Sequence, residues 1–253
     1  MQPNSVFYAK RHRIALPEPS QSYEQDAEWF VIQEDNGWKE IRFHDYTAIF
    51  EVAGLYEQLF YETLRCDSPR FIRELLGREL AKAGVDPGEL RVFDLGAGNG
   101  IMGEELRELG VGCVVGADIL AAAAKAAARD RPDTYRDYHV LDLTKLSAQQ
   151  HQLLDGYEFN ALTCIAALGF GDIPTACFRT AFNLVADGGW VALNIKEDFL
   201  SARDNSGFAT LIKESIRSGA FEVLGSEVYQ HRLATNRTPL HYAALVGRKR
   251  ADL

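Results

Sequence analysis

Three acids in the middle of the chain stand where a carboxylate can meet a ligand. Asp94 opens the run Asp94-Leu95-Gly96-Ala97-Gly98-Asn99-Gly100, which follows the apolar stretch 91–95 and precedes an amphipathic stretch at 101–109. Glycine lets the backbone turn sharply and lets a ligand approach without meeting a Cβ. A strand before the loop and a helix after it is the context such a loop needs. The dinucleotide fingerprint G-x-G-x-x-G needs its third glycine for close helix–strand packing. Counted from Gly96 that position is Ile101, and the third glycine falls one residue early, at Gly100. An acid at position 94 repels a phosphate and welcomes an ammonium group. Asp118 ends the next apolar stretch, where a carboxylate accepts hydrogen bonds from both hydroxyls of a ribose. Asp142, in Val140-Leu141-Asp142-Leu143, ends the third. There it can accept from an adenine amino group while the Leu143 N–H donates to a ring nitrogen. Plainer roles compete. Asp94 could cap its own loop, Asp118 could be the N-cap of the following helix as well as a ligand, and Asp142 could be a turn acid.

The elements that position these acids follow from the hydrophobic pattern. From 90 onward, strand and helix alternate. Strands are expected at 91–95, 112–117, 138–141, 161–166 and 190–195, with helices at 101–109, 119–129, 174–185 and 208–218. Seven alanines within 119–129 give that helix a strong local preference. Two further strands, 221–232 and 240–248, close the chain around a turn at 236–239. Alternation argues a mainly parallel sheet covered on both faces. The short link between the final strands makes the last one antiparallel.

Upstream, residues 1–27 read as a loosely ordered polar arm. Residues 28–87 form an extension: a hairpin around Asp35-Asn36-Gly37, a helix at 54–65, and a second helix at 69–83 closed by Gly84. Residues 88–253 are the main domain. Trp29, Phe30, Trp38, Phe43, Tyr46, Phe50, Tyr56, Phe60 and Tyr61 make the extension rich in aromatics. An isolated hairpin must pack on something, and ligands bind beyond the carboxyl ends of such a sheet. Residues 28–66 are therefore expected to cover the substrate side of the pocket.

Composition narrows the function. The 253 residues are 47% hydrophobic and 25% charged, which suits a folded globular chain. No apolar stretch reaches the ~20 residues of a membrane span, and residues 1–20 carry no apolar block of a signal peptide. The 27 basic and 36 acidic side chains leave a net charge of −9, which disfavours nucleic acid and anionic membranes as partners. Cys66, Cys113, Cys164 and Cys177 lack metal or C-x-x-C spacing and read as buried reduced thiols of a cytoplasmic protein. The six histidines show no metal-ligand spacing, and no metal is expected. Lys196-Glu197-Asp198 reads as a solvated edge.

The ordered series of loop and acids, Asp94-x-Gly96-x-Gly98-x-Gly100 then Asp118 then Asp142, resembles the class I S-adenosylmethionine-dependent methyltransferases over about 88–250. The N-terminal extension, with Gly54-Leu55-Tyr56 and Cys66-Asp67-Ser68-Pro69, is similar to methyltransferase-like proteins of the Williams–Beuren-region type. The resemblance implies a Rossmann-like α/β fold with a seven-stranded sheet ordered 3-2-1-4-5-7-6 and strand 7 antiparallel. It implies S-adenosyl-L-methionine as cofactor. Its methionine part would lie on Gly96, Ala97 and Gly98, with Asp94 under its amino group, directly or through water. Asp118 would hold the ribose, Ile119 would pack on the adenine, and Asp142 and Leu143 would read its edge. Residues 165–168, beginning at Ile165, would line the methionine and substrate side, and Tyr56 and Phe60 would reach cofactor or substrate from the extension.

The implied reaction is in-line displacement at the sulfonium methyl, driven mainly by alignment and water exclusion. It needs a general base only where the acceptor keeps its proton. His44, Tyr46 and Asp172 are the candidate bases, and no catalytic residue is assigned. No Asn/Asp-Pro-Pro-Tyr or Pro-Cys motif follows the fourth strand, and 165–172 is apolar and small. The expected substrate is therefore a small neutral or hydrophobic molecule. The competing readings are a non-catalytic partner subunit that keeps the fold, disfavoured by retention of all three acids, and a nicotinamide-dependent oxidoreductase, disfavoured by Ile101 and Asp94.

Overall fold

The structure is a computed structural model, described for residues 11–168, 172–197 and 207–253. Residues 1–10 of the expected arm, Gly169–Gly171, and Asp198 of the expected solvated edge lie outside the described residues.

The main sheet holds β4 (Arg91–Leu95), β5 (Cys113–Asp118), β6 (Asp137–Val140), β7 (Ala161–Leu168), β8 (Trp190–Lys196), β9 (Phe221–Leu233) and β10 (Pro239–Lys249). Its order is β6-β5-β4-β7-β8-β10-β9, which is 3-2-1-4-5-7-6 when its seven strands are counted along the chain. β10 runs antiparallel to both its neighbours, and the other pairs are parallel. Helices α2 (Ser68–Lys82) and α3 (Ile101–Leu109) cover one face. There Ile72, Leu75, Leu76 and Leu106 pack with Val92, Val114 and Trp190. On the other face α6 (Thr175–Asn183) and α7 (Phe208–Ser218) bury Phe178, Phe182 and Phe208 against Phe93, Val115 and Leu193.

The extension is a cap with its own core. β2 (Trp29–Glu34) and β3 (Gly37–Arg42) form the expected hairpin, turning at Asp35–Asn36, with Gly37 at φ +120°. The described part of the arm is more ordered than its composition suggests. Ile14–Ala15 form β1, paired with β2, and Gln25 is buried. The expected helix at 54–65 is a π-helix, Glu57–Thr63, the wide form that often marks functional sites. A short helix the pattern did not announce, α1 (Tyr46–Phe50), starts at Asp45, whose side chain accepts from the Ala48 N–H. Phe30, Phe43, Ile49, Leu55, Leu59 and Phe60 pack together beneath these elements.

Two contacts seat the cap on the sheet domain. Phe50 packs on Ala123 and Ala126 of α4 (Ala121–Asp130), so the alanine run is a ledge whose small side chains let α1 come close. Across the molecule, buried Glu28 accepts from the Arg232 guanidinium and the Thr235 N–H, each at 2.6 Å. A second unannounced helix, α5 (Ala148–Asp155), carries a capping box between Ser147 and Gln150.

Candidate active site

The glycine loop lies where β4 turns into α3. Gly96 and Gly98 have φ of +70° and +54°, the left-handed region where a Cβ is costly. Space is as tight as the torsions: a Cβ at Gly98 would lie 3.3 Å from the Phe50 ring, and one at Gly96 would lie 3.1 Å from Ala167 Cβ. Ala97, between them, is buried.

Asp118, at the end of β5, braces this loop. Its Oδ2 accepts from the Gly98 N–H at 3.0 Å and its Oδ1 from the Leu120 N–H at 2.9 Å. Leu120 is the N-cap of α4, so Asp118 supports the helix start without being its cap. Burial pushes the Asp118 carboxyl up, and these N–H groups oppose that. A carboxylate has about four acceptor sites, which leaves each oxygen able to accept from a ribose hydroxyl. Ile119 next to it is 60% exposed, an apolar surface of the kind an adenine ring would cover.

Asp94 is 1% exposed. Thr163 Oγ1 donates to its Oδ1 at 2.7 Å and Tyr135 OH to its Oδ2 at 2.8 Å. Burial raises its carboxyl to about 6 against those two hydroxyls. The open carboxylate expected under an ammonium group is therefore already clasped by two hydroxyls. Tyr135 was missed in the sequence. Its ring fills a slot in which a Cβ at Gly103 would lie 2.5 Å away, and one at Gly116 3.0 Å away. Lone glycines inside a helix and inside a strand were the available signal. The close helix–strand packing expected of a third loop glycine is thus served by Gly103.

Asp142 lies two residues past β6. Its Oδ1 accepts from the Thr144 N–H at 3.0 Å and the Thr144 hydroxyl at 2.6 Å, which holds the carboxyl below its ordinary value. It is a turn acid here, and Oδ2 lies 3.5 Å from Lys145 Nζ. Leu143 is buried in the core.

Ile165, expected on the methionine and substrate side, is not among the residues that line the chamber of this region. It packs in the core on the α2 side. The reason is a kink just beyond it: Ala166 has φ +56°, and the β7–β8 register shifts between Cys164 and Leu168. Asn194 Oδ1 holds the displaced Ala166 N–H at 2.6 Å. That kink turns Ala166, Ala167 and Leu168 into a chamber roofed by the cap. Phe43, His44, Tyr46, Tyr56, Phe60 and Cys66 come from the cap, Asp172 from beyond β7, Gln25 from the arm, and His231, Arg232 and Tyr242 from the final hairpin. All three candidate bases meet there. His44 Nδ1 lies 3.0 Å from Asp172 Oδ2, and the His44 and Tyr46 rings are 5.7 Å apart. Tyr56 lies 4.8 Å from Phe60, ring to ring.

Behind the chamber wall runs a buried polar chain. Asn194 Nδ2 donates to Tyr229 OH at 2.6 Å, Tyr229 OH meets Ser68 Oγ at 2.6 Å, and Ser68 Oγ meets His231 Nδ1 at 2.6 Å. Burial drives the His231 imidazole well below its ordinary value, so it stays neutral. All four cysteines are free thiols. Cys164 and Cys177 are buried, whereas Cys66 and Cys113 are only half-buried. No helix among the described residues is long and apolar enough to cross a membrane.

Sheet order, loop and strand-end acids together define a class I methyltransferase, the class whose cofactor is S-adenosyl-L-methionine. The loop backbone, Asp118 and Ile119 fit that group; Asp94 reaches it only past its two hydroxyl partners. The family model described as a methyltransferase domain matches residues 64–223, and the chain belongs to that family. Among curated proteins it is similar to the ubiquinone biosynthesis O-methyltransferase of Xanthomonas axonopodis pv. citri (strain 306), 30% identical over 118 residues, covering 46% of this chain and 47% of that one. The protein of the same name from Thiobacillus denitrificans is 32% identical over 102 residues, 40% of this chain and 42% of that one. The matched part thus spans under half of these relatives' length. A solved structure of the Thermoplasma acidophilum protein 1320 shares the fold, with 17% identity, TM-score 0.52, and coverage of 81% of this chain and 96% of that one.

Proposed function

We propose that the protein transfers the methyl group of S-adenosyl-L-methionine to an oxygen of a small molecule held beneath the cap. One observation carries this reading. Ala167 lines the chamber and also packs beside Gly96 of the cofactor loop, so an acceptor in the chamber lies next to the cofactor cradle. Oxygen as the acceptor atom is supported by the names of the two curated relatives. The chain's residues then have separable tasks. Gly96, Ala97 and Gly98 seat the methionine part, Asp118 takes the ribose, Ile119 and the Asp142–Leu143 turn meet the adenine, and the cap excludes water from the reacting atoms. Nucleic acid is not the acceptor in this reading, consistent with the net charge of −9.

Isothermal titration with S-adenosylhomocysteine, followed by a screen of hydroxylated metabolites for its release, tests the proposal. Binding of NAD in place of S-adenosylhomocysteine would refute it. So would submicromolar binding of duplex RNA at physiological salt, which would move the acceptor to nucleic acid.

A further inference from the structure

The cap reaches the glycine loop as well as the chamber. Its π-helix places Tyr56, the N-cap, on the chamber wall and Glu57, the first residue, against the loop. Asn99, between Gly98 and Gly100, is 2% exposed, and its Nδ2 donates to Glu57 Oε1 at 2.6 Å. Arg131, the C-cap of α4, closes the same contact from the sheet domain. Its Nη1 donates to Glu57 Oε1 at 2.8 Å and to the Asn99 carbonyl at 3.2 Å, and its Nε donates to Glu104 of α3 at 2.8 Å. Both charged side chains are nearly buried, Arg131 at 9% and Glu57 at 12% exposed. Burying such a pair contributes little to stability by itself, and its best-attested use is to fix how two parts meet. The early third glycine makes room for this clasp. Gly100 has φ +91°, and a Cβ there would lie 3.3 Å from Arg131 Cδ. Alongside, Arg129 Nη1 donates at 3.0 Å to the carbonyl of Phe50, whose ring abuts Gly98.

We infer that Glu57 and Arg131 are positioning residues for the cofactor: through them the cap holds the glycine loop in the shape that seats S-adenosyl-L-methionine. Both act through Asn99, Glu57 by its side-chain amide and Arg131 by its carbonyl. The backbone next to Gly98 is thus set from outside the strand and helix that flank it. The cap belongs to the cofactor site, and not only to the substrate side where its aromatics put it in the sequence. Coupling of this kind runs both ways. A seated cap raises cofactor affinity, and cofactor in its loop tightens the cap by the same factor. Loading the loop therefore steadies the roof of the chamber.

This rests on the methyltransferase reading, so S-adenosylhomocysteine affinity of the full chain is measured first, by isothermal titration. A chain that does not bind it refutes that reading and this inference with it; binding that ignores the clasp refutes this inference alone. Amide hydrogen exchange across 46–63 is then followed with and without S-adenosylhomocysteine. The ligand is expected to slow exchange there by about tenfold or more. Glu57→Ala should weaken S-adenosylhomocysteine binding by about tenfold or more, and Glu57→Gln, which keeps an acceptor for Asn99, should recover most of the loss. Asn99→Ala breaks the same contact from the loop side and carries the test should Glu57→Ala not fold: it should remove the ligand's protection of 46–63. Because the two residues share one contact, the double variant should bind no more than about threefold weaker than the weaker single one. Arg11→Ala removes an exposed ion pair to Glu62 on the same π-helix and should leave affinity within about twofold. The inference is overturned if Glu57→Ala binds as tightly as the unaltered chain, if the two losses simply multiply, or if S-adenosylhomocysteine leaves exchange across 46–63 unchanged.

Discussion

The glycine loop and the chamber beneath the cap touch at Ala167, yet their polar groups are supported differently. On the cofactor side each acid has its hydrogen bonds made: Asp118 by the backbone of Gly98 and Leu120, Asp142 by Thr144, and Asp94 by Thr163 and Tyr135, which lie 69 and 41 residues away along the chain. On the chamber side the partners come from far along the chain, as with Gln25 and Tyr242 or His44 and Asp172, and one buried oxygen has none. The first half is preorganised for one ligand that the whole class shares. The shape of the second depends on how the arm, the cap and the final hairpin meet.

This contrast can be broken most forcefully at the cap's anchor. Glu28→Ala leaves Arg232, 3% exposed, as an uncompensated buried charge. The expected loss is about 3–5 kcal/mol of stability, read by urea unfolding, and intact stability would show that the chamber does not depend on the anchor.

Next comes Asp94. Its folded value of about 6 lies above the ordinary 3.8, so its contribution is present below pH 3.8 and is lost as pH rises through 6. Removing that titration with Asp94→Asn should reduce the loss of unfolding free energy between pH 4 and 7.5 by roughly 2–3 kcal/mol in the ligand-free chain. Parallel pH curves for the two proteins would contradict the buried-acid account.

Asp118→Ala removes a charge-assisted contact and the loop brace, contributing roughly 1.5–3 kcal/mol. S-adenosylhomocysteine affinity should fall about tenfold or more with circular dichroism unchanged. The smallest effect belongs to Asp142→Ala. Its side chain is held only by its own turn, through the Thr144 N–H and hydroxyl, so affinity should drop only a few-fold, and a larger drop than at Asp118 would invert the order of importance along the cofactor.

Much of the cofactor half was legible because it is written in short continuous runs. Residues 91–95, 96–100 and 101–109 carry strand, loop and helix in immediate succession, and β4 and α3 fall on those limits. The hairpin was legible from Asn36-Gly37 for the same local reason. Tyr135 was not, because its claim on Asp94 exists only once Gly103 and Gly116 are stacked on either side of it. Gln25 and Arg232 read as an arm residue and a strand residue, and nothing near them announces a shared wall. Ile165 failed because the left-handed turn at Ala166, held by Asn194 from the next strand, shifts the facing of everything after it. The alanine run spoke clearly of helix and said nothing of the ring it would carry.

The link between Glu28 and the Arg232–Thr235 stretch also fixes an order of assembly. Its two ends are 204 and 207 residues apart, and the Gln25–Tyr242 bond spans 217. Closing such long loops comes late in folding, after local contacts have formed. During synthesis the cap emerges before its anchor on the β9–β10 hairpin, so the cap's aromatic underside has to wait for those strands. The chamber beneath the cap is therefore expected to close only once β9 and β10 are in place, and a chain stopped before residue 232 would lack the Arg232 and Tyr242 side of its wall.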